Sequence, residues 1–490
     1  MKTAHNHIIE KVFVEINTKS SEKAGLIKND ISGFLNNRLF PQLEILFDEL
    51  ETDDKILRIG SLQVKISADV QQINEAVIPE VVRKIGSGLK QATEEIGGQS
   101  ETEGFVTDDI EFGESQLVGN DYNDELIFLN FIQSGTLPWY AGKEKLEDIL
   151  ADGNWFRLVA NQYFCKKLRR LLVDNKTNLL RFVKQIPLNN ILAYVFRLFP
   201  EFKSAENLIQ LIHNQLSAKE QAVFLSAILQ LIFEIENQKK REIVADEFLS
   251  AVGKFIRKHK VESISGEEII SEAFIQSEFI RLTTLGKYKK KIELSVEKKK
   301  DRSVEIVADE VDKDKSSEEK IKNESLHINN AGLVLLHPFL KTFFITTGIA
   351  DPSGKIGNEN LDLAVQALHF IATGHESVYE ANLIFEKFLC GLPVHHPVIK
   401  ESLLTSEIRT EAEEMLKAVI ANWAALKNTS PDGLREAFIQ RDGILQKTDK
   451  GFKLTVETKT LDILLDKLPW GFGIINWYLI DKLIFVEWQL

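Results

Sequence analysis

The chain has 490 residues, 44% of them hydrophobic and 27% charged, which is enough apolar material for two or three cores rather than one. A net charge of -13 excludes a general nucleic-acid binder, whose phosphate contacts need an excess of Lys and Arg. Cys165 and Cys390 are the only cysteines and lie far apart, so there is no disulfide framework, and the pattern fits a reducing cytoplasm.

The segment Met1 to His7 has no apolar run before a small-residue cleavage site, so no secretory signal is expected. No stretch reaches the roughly eighteen apolar residues of a membrane helix. His7 to Ile16 is rich in Ile, Val and Phe and predicts a strand. Ser20 or Ser21 can cap a helix whose stripe is Ile27, Ile31, Leu35 and Leu39, continued beyond Pro41 by Leu43, Leu46, Phe47 and Leu50. The alternation from Ile56 to Ile66 predicts a second, half-buried strand, expected to pair with the first across the helical layer. Residues 1–70 thus read as a strand-helix-strand module.

Residues 71–122 are dominated by Glu, Gly, Ser, Gln and Thr. They read as a flexible tether with one short helix around Val77 to Leu89, because such a composition buries little apolar surface. From 123 to 286 apolar residues recur at three and four positions, for example Phe224, Leu225, Ile228, Leu229 and Ile232, which predicts a stack of helices. Pro200 should end one of them at Phe199. Residues 287–325 carry mixed charge runs such as Lys298-Lys-Lys300 and read as a solvated linker. Residues 326–490 read as a second helical domain closing with strands at Phe452–Thr458 and Leu483–Trp488. A helix at Asp462–Leu468 should stop at Pro469. The fold class is therefore mainly α with small β elements, an α+β chain of several domains.

Chemistry is hard to place on this pattern. No glycine-rich phosphate loop occurs, which removes nucleotide hydrolysis. Cys390 with His395 and His396 offers two kinds of zinc ligand, but a structural site wants four, so the reading is a buried Cys and loop histidines between Pro393 and Pro397. Nothing positions a base beside Cys390 for nucleophilic catalysis, and no acid pair suggests a cell-wall hydrolase. No catalytic residue, cofactor or metal is expected.

The specific signals are short motifs. They are Phe131-Ile-Gln-Ser-Gly-Thr-Leu-Pro-Trp139, Gly332-Leu-Val-Leu-Leu-His-Pro-Phe-Leu340, Leu383-Ile-Phe-Glu-Lys-Phe-Leu-Cys-Gly-Leu-Pro393, Asn422-Trp-Ala-Ala-Leu-Lys-Asn-Thr-Ser-Pro-Asp-Gly-Leu-Arg435 and Leu468-Pro-Trp-Gly471, followed by Val486-Glu-Trp488. Leu137-Pro-Trp139 is echoed by Leu468-Pro-Trp470. Candidate partner contacts drawn from them are Leu137, Pro138, Trp139, His337, Pro338, Phe339, Trp423, Lys427, Asn428, Thr429, Ser430, Arg435, Pro469, Trp470, Trp477 and Trp488. Tryptophans beside prolines make rigid, large contact surfaces, and equally they pack cores at domain ends. Thr429-Ser-Pro431 reads as a helix start, with either a corner role or a contact role.

In order and spacing these motifs, with His7-Ile-Ile-Glu-Lys-Val-Phe-Val-Glu15 and Leu57-Arg-Ile-Gly-Ser-Leu-Gln-Val64, resemble the tape-measure protein family of phage-tail-like contractile injection systems, including type VI-like particles. One departure is Asn476-Trp477, where the family pattern has a second Pro-Trp. The resemblance implies a non-enzymatic assembly component that helps set tube and sheath length. It implies contacts with inner tube, spike or baseplate proteins and a terminator; the length such a role must span asks for several copies per particle, and the charge and hydropathy above point to no nucleic acid and no membrane insertion. It places the protein in the cytoplasm during assembly and then in the assembled or released particle. A cargo or lytic effector and an assembly chaperone are the alternative roles.

Overall fold

A computed structural model describes residues 7–9, 12–15, 17, 31, 33–50, 55–66, 77–96, 101–102, 105–106, 110–142, 145–237, 325–426 and 428–488. The chain divides into two compact units, one of Met1–Leu129 and Pro138–Ile149, the other of Asn130–Leu137 and Leu150–Leu490. The fold is mainly helical with small sheets, as the periodic stretches predict.

In the first unit a π-helical turn, Leu35–Leu39, runs into helix α1, Phe40–Leu50. Helix α2, Ile78–Ile96, places Ile78, Ile85, Leu89 and Ala92 at helical spacing, and they form a core with Phe34, Leu39 and Leu43. The small strands are β1 Lys55–Ile59, β2 Leu62–Val64, β3 Glu101–Thr102, β4 Phe105–Val106, β5 Ile110–Phe112 and β6 Ser115–Gly119. They form two antiparallel sheets, ordered β1-β6-β3 and β2-β5-β4.

Three features differ from the sequence reading. The expected strand over Ile56–Ile66 is two strands, broken at Gly60-Ser61, where the Gly60 and Gly113 N–H groups donate across to Glu114 and Ser61 carbonyls at 2.8 Å. Its partner is not His7–Ile16: the described residues there lie outside any strand, and the ladder comes instead from residues 101–119. Alternation marks a half-buried strand but does not name its neighbour. The helix expected around Val77 to Leu89 in the span read as a tether is α2, which runs on to Ile96 because its apolar residues all fall on one stripe. Lys84, whose Nζ donates to Lys65 O at 2.8 Å, keeps its stem on the packed side.

Helix α3, Asn120–Ser134, runs from the first unit into the second, and α4, Lys145–Leu150, follows. The second unit continues with α5 Asp152–Ala160, α6 Gln162–Asp174, α7 Lys176–Gln185, α8 Leu188–Leu198, α9 Glu206–His213 and α10 Ala218–Asn237. Asn161 caps α6 through Tyr163 N at 2.9 Å, and Asn175 caps α7 through Thr177 N at 2.8 Å. Helix α8 ends at Leu198 with Phe199 as its cap, and Pro200 opens a 3-10 turn, as expected. The rest of the expected helical stack and nearly all of the charged linker lie outside the described residues.

The C-terminal part adds β7 Leu326–Ile328, a 3-10 helix Ala331–Leu336, α11 His337–Thr346, α12 Leu361–Thr373, α13 Ile384–Leu389, α14 Ser406–Asn422 and α15 Pro431–Leu434. A five-stranded sheet follows, with β8 Gly443–Thr448, β9 Gly451–Val456, β10 Ile474–Ile475 and β11 Leu483–Glu487 in the order β10-β11-β9-β8-β7. The two expected strands are β9 and β11, which pair in parallel. The expected helix before Pro469 is a 3-10 helix, Thr460–Lys467. Among the described residues, the apolar core here draws on positions from Ile328 to Trp488 and on none from the helices α5–α10.

Candidate functional site

The motif tryptophans act chiefly as struts. Trp423 is 0% exposed, donates its indole N–H to Leu464 O at 3.2 Å and packs on Phe438 at 4.8 Å. Trp477 donates to Leu389 O at 2.6 Å, and Trp470 donates to Leu335 O at 2.9 Å with Phe339 edge-on at 5.2 Å. Trp488 donates to Asp462 Oδ2 at 2.9 Å, while Arg441 holds the other oxygen at 2.7 Å. Each of these indoles thus ties two distant parts of the chain by a directional bond as well as by area. Arg435 is buried, donating to Asp432 at 2.7 Å and to Ile371 O at 3.1 Å. Ser430 Oγ accepts Gly433 N–H at 3.1 Å and so starts α15, with Pro431 at its first position and Thr429 half-buried beside it. His337 is half-buried against Val334 O at 3.1 Å, and burial lowers its pKa. Lys427 lies outside the described residues.

Exposed members of the candidate set are Trp139, Pro338, Asn428, Ser430 and Pro469, with Leu137 and Pro138 half-buried. Trp139 is 42% exposed and sits edge-on to Tyr140 at 5.7 Å, whose ring carries the Arg58 guanidinium at 3.8 Å. The two Leu-Pro-Trp echoes therefore differ in use: one tryptophan is a strut and the other faces solvent.

A buried charge cluster, absent from the candidate set, joins α7 to the C-terminal part. Arg181 Nε donates to both oxygens of Glu380 at 3.1 and 3.2 Å, its Nη1 to Ile132 O at 2.6 Å, and its Nη2 to His395 O. Lys387 Nζ donates to Glu380 at 2.7 Å and to Val394 O at 2.8 Å; burial lowers its pKa despite that carboxylate. Lys184 reaches Asp362 and Pro397 O, each at 3.0 Å, and Gln185 bridges Val398 O at 2.7 Å and Glu380 N at 2.7 Å. Burial pushes the Asp362 carboxyl up, but His396 and Lys184 outweigh it and hold the group below its ordinary range. The signal in the sequence is Arg181, Lys184 and Gln185 one turn apart among Leu179, Phe182 and Val183, polar heads aimed into an apolar face.

The sequence profile of the contractile injection system tape measure protein family matches residues 6–488. The chain belongs to this family. No curated protein and no solved structure matches it.

In this member of the tape measure family the reactive groups are held by the fold. Burial and the Glu386 carboxylate push the Cys390 thiol far up, which disfavours the nucleophilic thiolate. His396 faces Asp362, with Nε2 3.8 Å from Oδ1, while the carbonyl of His395 accepts from Arg181. Among the described residues no group of three or more His, Cys, Asp or Glu is placed to hold a metal ion, and no helix is long and apolar enough to cross a membrane.

Proposed function

We propose that this tape measure protein is a non-enzymatic assembly component that helps set the length of the inner tube and sheath by engaging tube and baseplate or spike proteins while they polymerise. The family match over residues 6–488 carries this reading. The burial of Cys390 and the engagement of the buried ion pairs and the indoles in structural bonds support an assembly role over a catalytic one. The Pro138-Trp139 corner is the contact we assign to a particle protein, because Trp139 is a rigid aromatic anchor that its own fold leaves 42% exposed. Assembly takes place in the cytoplasm.

Length sets a physical condition on this role. A wholly helical chain would span roughly 700 Å at about 1.5 Å per residue, whereas a folded unit of a few hundred residues has a radius of gyration of about 20 Å. Length is therefore set either by unfolding the helices along the lumen or by several copies in series. Electron microscopy of particles tests the proposal. Loss of the gene should abolish particles or scatter their lengths, and in-frame shortening of the helical middle segment, residues 123–286, should shorten the tube by about 15 Å per ten residues removed. Unchanged lengths after such deletions reject the ruler. Normal particles without the gene, but with loss of target killing, would instead identify a cargo effector.

A further inference from the structure

Within the second unit the helices α5–α10 pack an interior of their own. Trp155 on α5 donates its indole N–H to Asn190 O on α8 at 2.9 Å and meets Phe164 on α6 edge-on at 6.2 Å, while Phe182 on α7 meets Tyr194 on α8 at 5.5 Å. All four aromatics are buried, and among the described residues none from α5–α10 enters the apolar core that runs from Ile328 to Trp488. Two interiors thus lie on either side of one seam. The bonds that cross it are polar and directional, and most come from the C-terminal end of α7. Arg181, Lys184 and Gln185 reach Glu380, Asp362 and the carbonyls of His395, Pro397 and Val398. Lys400 N–H donates back to Lys184 O at 3.0 Å, and Lys219 on α10 donates to Glu359 O at 2.5 Å. The loop that accepts from α7 holds Pro393 and Pro397 and has no helix or strand to occupy its carbonyls, so α7 satisfies them.

We propose that α5–α10 undock from the C-terminal part as a folded layer, by opening of this seam, while the interiors on both sides stay closed. An apolar interface resists separation because water gains nothing from it. Arg181, Lys184, Glu380, Asp362 and the loop carbonyls instead all recover hydration when they part, and the desolvation that burial imposed on them is returned. Removing a single partner is a different matter, since it strands the others in the dry seam. Parts of a chain that meet across polar interfaces move relative to one another, and cooperative openings smaller than global unfolding follow such boundaries. Nor does chain connection hold the two sides together, for α10 ends at Asn237 and β7 begins only at Leu326. The opening is a property of the purified chain; only its use, lengthening the protein inside a tube before any helix unravels, rests on the length-setting role.

Hydrogen exchange of the full chain in sub-denaturing urea, read by fragmentation mass spectrometry, tests it. The reporters are the Glu380 and Lys400 amides, bonded across the seam to Gln185 Oε1 at 2.7 Å and to Lys184 O at 3.0 Å. In the wild type both should exchange at least about tenfold faster than the amides of α6, α14 and β9, and with a shallower dependence on urea, because opening exposes less surface than unfolding does. Lys184→Glu sets a carboxylate against Asp362 across the seam, and should speed both reporters by a further factor of about ten or more while α6, α14 and β9 keep their rates. Lys166→Glu makes the same charge change at an exposed position of α6 and should leave the reporters as in wild type. Reporters that exchange only together with α14 and β9 and with the same urea slope would overturn the proposal, as would α6 exchanging along with the reporters, which means that the layer melts instead of undocking. So would K184E acting on every segment alike or on none, or K166E matching it.

Discussion

At Gly135 two constraints meet on one residue. It follows the last turn of α3 with φ +78, a left-handed conformation that side chains resist, and a Cβ there would run into Glu380 and come within 2.9 Å of Arg181 Nη2. Gly135→Ala should therefore cost about 2–4 kcal/mol, read as a lower denaturant midpoint with unchanged slope. The neighbouring Glu380→Ala removes the one carboxylate that, among the described residues, pairs with Arg181 and Lys387, and leaves two cations buried. A loss of about 3–5 kcal/mol in urea unfolding is expected, and an outcome near zero would mean that water reaches the cluster. For Trp139 the expectation is the reverse. Trp139→Ala should leave unfolding within about 0.5–1 kcal/mol of wild type, since the residue is 42% exposed and outside the buried cores, yet reduce particle yield if the corner is a contact.

Between elements, the motifs record close approach. Gly332 opens the Leu-Val-Leu-Leu run, and a Cβ there would strike the carbonyl of Phe438 and lie 2.7 Å from Ile439 Cα. The 3-10 helix Ala331–Leu336 thus crosses the turn Arg435–Ile439 backbone against backbone, and Gly332→Ala must separate them. We expect a loss of at least about 3 kcal/mol, measured by thermal unfolding, with circular dichroism showing that helix content is kept at low temperature. Three of the motif tryptophans follow the same logic, each indole reaching a carbonyl on another element: Trp477 at Leu389, Trp470 at Leu335, Trp423 at Leu464. This bears on how much was legible. The Trp and Pro positions stand out in the sequence, and Pro200, Pro431 and Pro469 mark element ends correctly, because proline chemistry is local. Whether a tryptophan faces a carbonyl or solvent is not local, so Trp139 and Trp470 look alike in sequence and differ in the fold.

For the molecule as a whole, acid should act through histidines. Burial lowers the pKa of His213, His337 and His395, and Arg181 and Lys387 lower that of His395 further. The unfolded chain therefore binds protons first. The stability these groups contribute is complete above the unfolded value of 6.5 and is lost as pH falls through their lower folded values. Asp362, also held low, adds a second loss below 3.8. Melting temperatures measured from pH 8 to pH 5 should fall on the acid side of about 6.5, and a rise there would contradict the arrangement around His395. The amino-acid order by itself determined the helical periods of residues 146–237, the proline-bounded ends, the strands at 451–456 and 483–487, and the family motifs, since these depend on spacing along the chain. Only the tertiary structure decided that β1 pairs with β6, that Arg181 meets Glu380 across the second unit, and which aromatic faces water. Those partners are distant in sequence, and a period of 2 or 3.6 says which side of an element is buried but not against what.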